Sequence, residues 1–260
     1  QGDRFLAGGK VGSWSAPNIT PDEKAGIGDW REDEIVTYLR TGALHDKAIA
    51  AGEMGIAVEK SFSRLRESDL QAIARYLRQV PAIGGVDRKA PAAPLPATPL
   101  ASLETGMKDD INDYISGDAM SGAQLYNGAC ATCHGSDGRG TQDAKRFYPA
   151  LVGSSAVLAD DPANLIMTIA EGVDRRTAEG HAFMPAFHTQ FSPQALAKVA
   201  DYVSTHFGNP QHGVTLAEVE QTLQGESGSW LVRYAQPLSI AITLAMLALL
   251  AVIFILRRRR

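Results

Sequence analysis

Cysteine is nearly absent from this chain. The two that occur in 260 residues stand three apart, at 130 and 133, so a disulfide framework does not organise the fold. A basic stripe is lacking as well. The net charge is −4 although Arg257 to Arg260 alone contribute +4, which leaves residues 1–256 at −8. An acidic body with scattered Lys and Arg repels phosphate, and this excludes nucleic acid as a partner. No P-loop and no grouping of Ser, His and Asp appears, so no substrate chemistry is expected on this chain. No charged-then-apolar leader follows Gln1. What remains is a globular composition, 45% hydrophobic and 21% charged, long enough for two ordinary domains.

Apolar residues concentrate at the carboxyl end. The stretch "PLSIAITLAMLALLAVIFIL", Pro237–Leu256, carries no charge. As a helix at about 1.5 Å per residue it spans about 30 Å, the thickness of a bilayer core. Trp230 and Tyr234 precede it at the level of an aromatic belt, and four arginines follow. Residues 231–260 are therefore expected to form a transmembrane anchor with a cytoplasmic Arg tail, the rest of the chain facing the other side.

Proline and glycine divide what precedes the anchor. Residues 81–102 form a Pro-rich linker, with five prolines between 81 and 99, and "GESGS" at 225–229 ends a short helix and linker over 211–230. Two regions remain, 1–80 and 103–210, and they repeat each other. Ile35 and Leu39 precede Gly42 as Leu165 and Ile169 precede Gly172, and each glycine is followed twelve residues later by a methionine, Met54 or Met184. Asp161–Pro162 reads as a helix start. After each methionine an amphipathic helix is expected. One has Ser68 and Gln71 as a capping box and a stripe of Leu70, Ile73, Leu77 and Val80. The other opens at Ser192–Pro193 with Leu196, Val199, Val203 and Phe207, and Tyr76 and Tyr202 fall at the same helix position. Thr215 and Glu218 form a further capping box. Duplication explains the shared spacings, and the fold class expected is all-α.

The chemistry lies in "GACATCHGSDG". Cys130, Cys133 and His134 make C-x-x-C-H, the attachment sequence of c-type haem. Two thiols one helical turn apart can form thioethers to the two vinyl groups of one porphyrin, and the adjacent imidazole turns onto the iron. Helices and glycine-rich loops argue against a thioredoxin-type motif, and the scattered remaining histidines argue against structural zinc. The second axial ligand is sought in "GHAFMPAF", where Met184 competes with His181 and His188. Thioether ligation raises the reduction potential and suits an acceptor of electrons from a dehydrogenase. Trp14 and Trp30 are read as packing against a haem or core. His45, His206 and His212 are read as surface or satisfied loop residues.

These residues carry a resemblance. Residues 119–208, with "GAQLYNGACATCHG", "YPAL" and "MPAF", resemble a class I cytochrome c domain. That resemblance implies that the Pro149 carbonyl accepts a hydrogen bond from the proximal histidine and that the first and last helices cross at Gly122 and Tyr126 against Val199 and Tyr202. Residues 1–210 further resemble two domains of the three-haem cytochrome subunit of membrane-bound bacterial dehydrogenases, through "APNITPDEKAGIGDW", "LRTGALHDKAIAAGEM" and "GVDRRT". The resemblance implies that Met54 binds a second haem iron. By the repeat, the histidine partner of Met54 falls near position 4 or upstream, yet residues 1–8 hold no Cys or His. The first cytochrome c domain is therefore expected to be incomplete at its amino end.

The function so implied is relay of electrons from a periplasmic catalytic subunit, oxidising an alcohol, aldehyde or sugar acid, to ubiquinone at the bacterial inner membrane. A further small subunit is a possible partner. Two other functions use the same parts: a tethered shuttle from a quinol-oxidising complex to a terminal oxidase, and a structural anchor whose haem is vestigial.

Overall fold

The computed structural model describes residues 4–85, 116–142, 147–208, 210 and 212–225. In the first region a hairpin of β1 (Gly9–Val11) and β2 (Trp14–Ala16) leads to helix α1 (Glu32–Thr41). Hairpin β3 (Ala43–Leu44) and β4 (Ala48–Ile49) follows, then α2 (Gly52–Lys60), a 3-10 turn (Phe62–Arg64) and α3 (Glu67–Gln79). The second region runs α4 (Gly122–Ala129), α5 (Ala131–His134), hairpin β5 (Thr141–Gln142) and β6 (Phe147–Tyr148), α6 (Ser155–Leu158) and α7 (Ala163–Glu171). It continues through hairpin β7 (Val173–Thr177) and β8 (Gly180–Met184) to α8 (Pro193–Phe207) and α9 (Leu216–Gln224).

The all-α expectation is thus corrected. Helices dominate, but four two-stranded antiparallel hairpins join them. Their strands are only two to five residues long, too short for the alternation that marks a half-buried strand to register in the sequence. The fold-class expectation also included a membrane-spanning helix. Among the described residues no helix is long and apolar enough to cross a membrane. The Pro237–Leu256 stretch lies outside the described residues, as do most of the 81–102 linker and residues 103–115.

The repeat read from spacing is visible as a shared plan. Helices α1 and α7 both end at a positive-φ glycine, Gly42 (φ 74°) and Gly172 (φ 70°), and each glycine opens a hairpin. The methionines then part company. Met184 closes β8, whereas Met54 sits in the first turn of α2, so the residues that lengthen the first copy form a helix of their own. Ser68 does not cap α3. Arg66 takes that position, and its guanidinium holds Asp69 in the first turn at 3.1 and 3.2 Å. Ser192 and Thr215 do cap their helices, accepting from Ala195 N and Glu218 N.

Each region has its own core. Ile35, Val36 and Leu39 of α1 pack on Leu70 and Ala74 of α3. In the second region α4 crosses α8 so closely that a Cβ on Gly122 would lie 2.2 Å from the Lys198 carbonyl oxygen, which only glycine permits. Tyr126, fully buried, meets Tyr202 and Phe207 at ring separations of 5.3 and 5.0 Å. Tyr76, the counterpart of Tyr202, is half exposed because among the described residues no equivalent of α4 covers that face of α3.

A polar seam joins the regions. The Ser15 main chain donates to Asn164 Oδ1 (2.9 Å) and accepts from Asn164 Nδ2 (2.7 Å), while Asp161 takes hydrogen bonds from Ser15 Oγ and Lys10. Burial alone would raise the Asp161 carboxyl's pKa. The bonds from Lys10, the Ala163 N–H and Ser15 together outweigh burial and hold it below the usual carboxylate value of 3.8. A depressed carboxylate stabilises the folded state above its unfolded pKa and stops doing so as pH falls through the folded value. Thermal stability is therefore expected to be level from pH 8 to about 5 and to fall below about 4. Differential scanning calorimetry of Asp161→Asn beside the parent checks this, the variant showing the shallower acid limb.

Candidate haem site

Helix α4 delivers the motif. Ser121 and Gln124 form a reciprocal capping box at its start (2.7 and 3.3 Å). At Cys130 the helix bends into the single turn of α5, where both Cys133 N and His134 N bond to the Cys130 carbonyl. Gly135 (φ 78°) stops it, and the Tyr126 hydroxyl donates to the Gly135 carbonyl at 2.5 Å. The motif is thereby tied to the helix crossing that forms the core.

His134 is buried, and its Nδ1 lies 2.9 Å from the Pro149 carbonyl oxygen. A carbonyl only accepts, so Nδ1 carries the proton and Nε2 presents a lone pair. Burial pushes the imidazole pKa down and the Pro149 bond only partly restores it, which keeps the ring neutral and able to ligate. Gly140 makes this contact possible. At φ 64°, a Cβ there would stand 2.2 Å from the Tyr148 carbonyl oxygen and 2.7 Å from that of Pro149. Beside the histidine both thiols are free. Cys130 is buried, and burial pushes its pKa up to about 12, while Cys133 keeps some exposure.

Of the three residues competing for the opposite side, Met184 is partly buried against the cluster that contains Cys130. His181 is turned outward, its Nε2 2.7 Å from Asp174 Oδ1. His188 donates from Nδ1 to the Ala170 carbonyl (2.8 Å) and is about half exposed at the surface near Glu171.

A second feature is a largely apolar cleft of ≈ 320 Å³, lined mainly by the first region and closed on one side by Ser155, Ala156, Asn164 and Thr168 of the second. Met54 borders it together with Trp14, Trp30, Tyr38, Ile35 and Leu77. Sequence reading missed two residues near the seam. His45, read as a surface or satisfied residue, is mostly buried: Nδ1 bonds to Asp46 while Nε2 is sealed from solvent with no partner among the described residues. Arg175 is buried to 3% exposure and reaches across to the first region. Its offset from Gly172, equal to that of His45 from Gly42, was the only signal.

A Cys-x-x-Cys-His turn with a carbonyl-bound histidine, set between two crossing helices, defines a c-type cytochrome domain that carries haem c. In agreement, residues 117–203 match the family of cytochrome c oxidase, cbb3-type, subunit III. Along most of its length the chain is similar to cytochrome subunits of dehydrogenases. It is 36% identical over 238 residues to the fructose dehydrogenase cytochrome subunit of Gluconobacter japonicus, covering 90% of this chain and 48% of that one. It is 33% identical over 223 residues to the cytochrome c subunit of alcohol dehydrogenase (quinone) from Gluconacetobacter polyoxogenes (84% and 44%). To the gluconate 2-dehydrogenase cytochrome c subunit of Pantoea cypripedii it is 28% identical over 243 residues (86% and 50%). The chain spans about half the length of these relatives. Residues 117–203 are thus a cytochrome c domain, and the chain as a whole is similar to the cytochrome subunits of dehydrogenases.

Proposed function

We propose that this chain is an electron-transfer subunit of a dehydrogenase complex, accepting electrons from a catalytic partner and passing them to a quinone. The observation that carries the reading is the 2.9 Å contact between His134 Nδ1 and the Pro149 carbonyl, which leaves Nε2 as a fixed, neutral donor beside two free thiols. Cys130 and Cys133 would hold the porphyrin through their sulfurs, His134 and Met184 would ligate its iron, and the Pro149 carbonyl orients the histidine. Bound haem supplies one-electron chemistry. The chain's own work is to fix the donors, to exclude water with the Tyr126–Phe207 core, and to set the potential through thioether ligation and burial. A dehydrogenase partner and a quinone acceptor follow from the names of the relatives. Attachment of haem c, a reaction carried out outside the bacterial cytoplasm, supports a periplasmic setting for these regions, beside the membrane that dissolves the quinone. The two regions are read as tandem cytochrome domains, roughly 1–80 and 103–210.

The cleft lined mainly by the first region supports a second haem there, whose iron Met54 would ligate, because a sulfur donor borders an apolar space that Trp14 and Trp30 also line. An alkaline pyridine spectrum with intact mass on the native polypeptide tests this. Two haems or more per chain are expected, and one haem per chain returns Met54 to ordinary core. Rapid mixing of the purified complex with its sugar or alcohol substrate tests the relay. Haem reduction within one catalytic turnover is expected, and slower reduction contradicts it.

A further inference from the structure

Among the described residues Arg175 is the only Lys or Arg that is buried. No carboxylate within the described residues lies at ion-pair distance from it; Glu59, which accepts from the Arg176 N–H, acts on it only through its field, and a buried guanidinium without a contacting anion is costly. Its partners are two main-chain carbonyls of the other region, Thr41 O (3.1 Å from Nε) and Ala50 O (bonded by Nη1). These occupy two of five N–H donors. Nη2 has no hydrogen-bond partner among the described residues and lies over Gly42, where a Cβ would approach it to 3.0 Å. Tyr38 stands close enough for the two groups to influence each other's ionisation, and its hydroxyl likewise bonds to no described residue. Tyr38 borders the cleft that holds Met54, and Ala51, next to Ala50, borders it too.

One wall of an apolar cleft therefore carries a phenol, Tyr38, and directly behind that wall, bonded to Ala50 beside the lining residue Ala51, stands a buried cation, both with donors unused among the described residues. The complement is a flat apolar body that carries carboxylates. We propose that Arg175, with Tyr38, binds a propionate of the haem in the first region, so that the second region supplies the counter-charge for its neighbour's cofactor. This rests on the reading that the first region holds a haem on Met54. A role as a mere cap on α1 would use the Thr41 carbonyl but leave Nη2 and the adjacent phenol without purpose. A cation beside the propionate offsets its negative charge, favours the ferrous state and raises the potential.

The test is potentiometry of the complete native polypeptide with its haems, followed optically at pH 8, where a propionate is ionised. The second-region haem is identified as the component that moves in Met184→His. In Arg175→Gln the other component is expected to shift to lower potential. It should also acquire a pH dependence between 5 and 8 as the unpaired propionate titrates, which loss of a structural contact alone would not produce. Arg175→Lys, keeping charge without the fork, should retain most of the parent value. If Arg175→Gln does not fold, Tyr38→Phe should lower the same component by a smaller amount. Two or more haems with that component unmoved by Arg175→Gln, or by Tyr38→Phe in its place, overturn this assignment alone. One haem per chain overturns the first-region haem and this assignment together.

Discussion

Met184→His is expected to keep its covalent haem and to lose potential. The midpoint should fall by ~0.2 V or more, out of the roughly 0.8 V over which axial ligands move haem potentials. The reason is donor chemistry: a thioether favours ferrous iron, and an imidazole donates more strongly and favours ferric. Geometry favours Met184 over its neighbours. The β7–β8 register sets Met184 opposite Val173 against the Cys130 cluster, while Asp174 holds His181 at the surface and Ala170 holds His188 by its Nδ1. Optical spectra with a redox titration decide. Unchanged spectrum and potential would move the ligand elsewhere, with His188, whose Nε2 is uncommitted, first in line.

Gly172→Ala should be among the most damaging small substitutions in the second region. Gly172 has φ 70° and ψ −164°, a conformation reached almost only by glycine. A Cβ there would lie 2.3 Å from the Met184 carbonyl oxygen and 2.8 Å from Ala186 N, backbone atoms that cannot swing aside. Strain and collision together should cost about 3 kcal/mol or more, lowering Tm by roughly 6–12 °C in a protein of this size. Because the clash falls on the residue proposed as ligand, the optical signature of sulfur ligation should weaken at temperatures where the fold is still intact. Calorimetry and the ferric spectrum read the two effects separately. Gly180→Ala is the comparison for strain without collision, since at that hairpin tip φ is 147° and nothing lies within 4 Å of an added Cβ.

The sequence made some of this legible because the signals are local. Cys130, Cys133 and His134 are adjacent, Ser192–Pro193 states a helix start in two letters, and Gly42 and Gly172 mark helix ends whose positive φ the structure shows. The hairpins were not legible because their strands are only two to five residues long, too short for a period of two to stand out. Arg66 as a cap was hidden by Ser68 two residues later, a better cap by type but already inside the helix. Arg175 and His45 are long-range facts. The Arg175 guanidinium bonds in the other region, the His45 carbonyl and ring meet Ala150 and Phe147 there, and nothing within ten residues of either announces a buried cation or a sealed imidazole nitrogen. Local sequence reports what the backbone must do, whereas burial at a seam depends on which two surfaces meet.

The exchange between Ser15 and Asn164, main chain answered by amide in both directions, has a kinetic meaning. It fastens the regions the way one strand fastens the next, and it makes the gap between them a constant. Under the two-haem reading, an electron then crosses that gap by tunnelling at a fixed distance. The crossing waits on no diffusive search, and thickening the solvent with glycerol leaves its rate alone. Arrival from a separate partner protein has no such fastening and slows in step with viscosity.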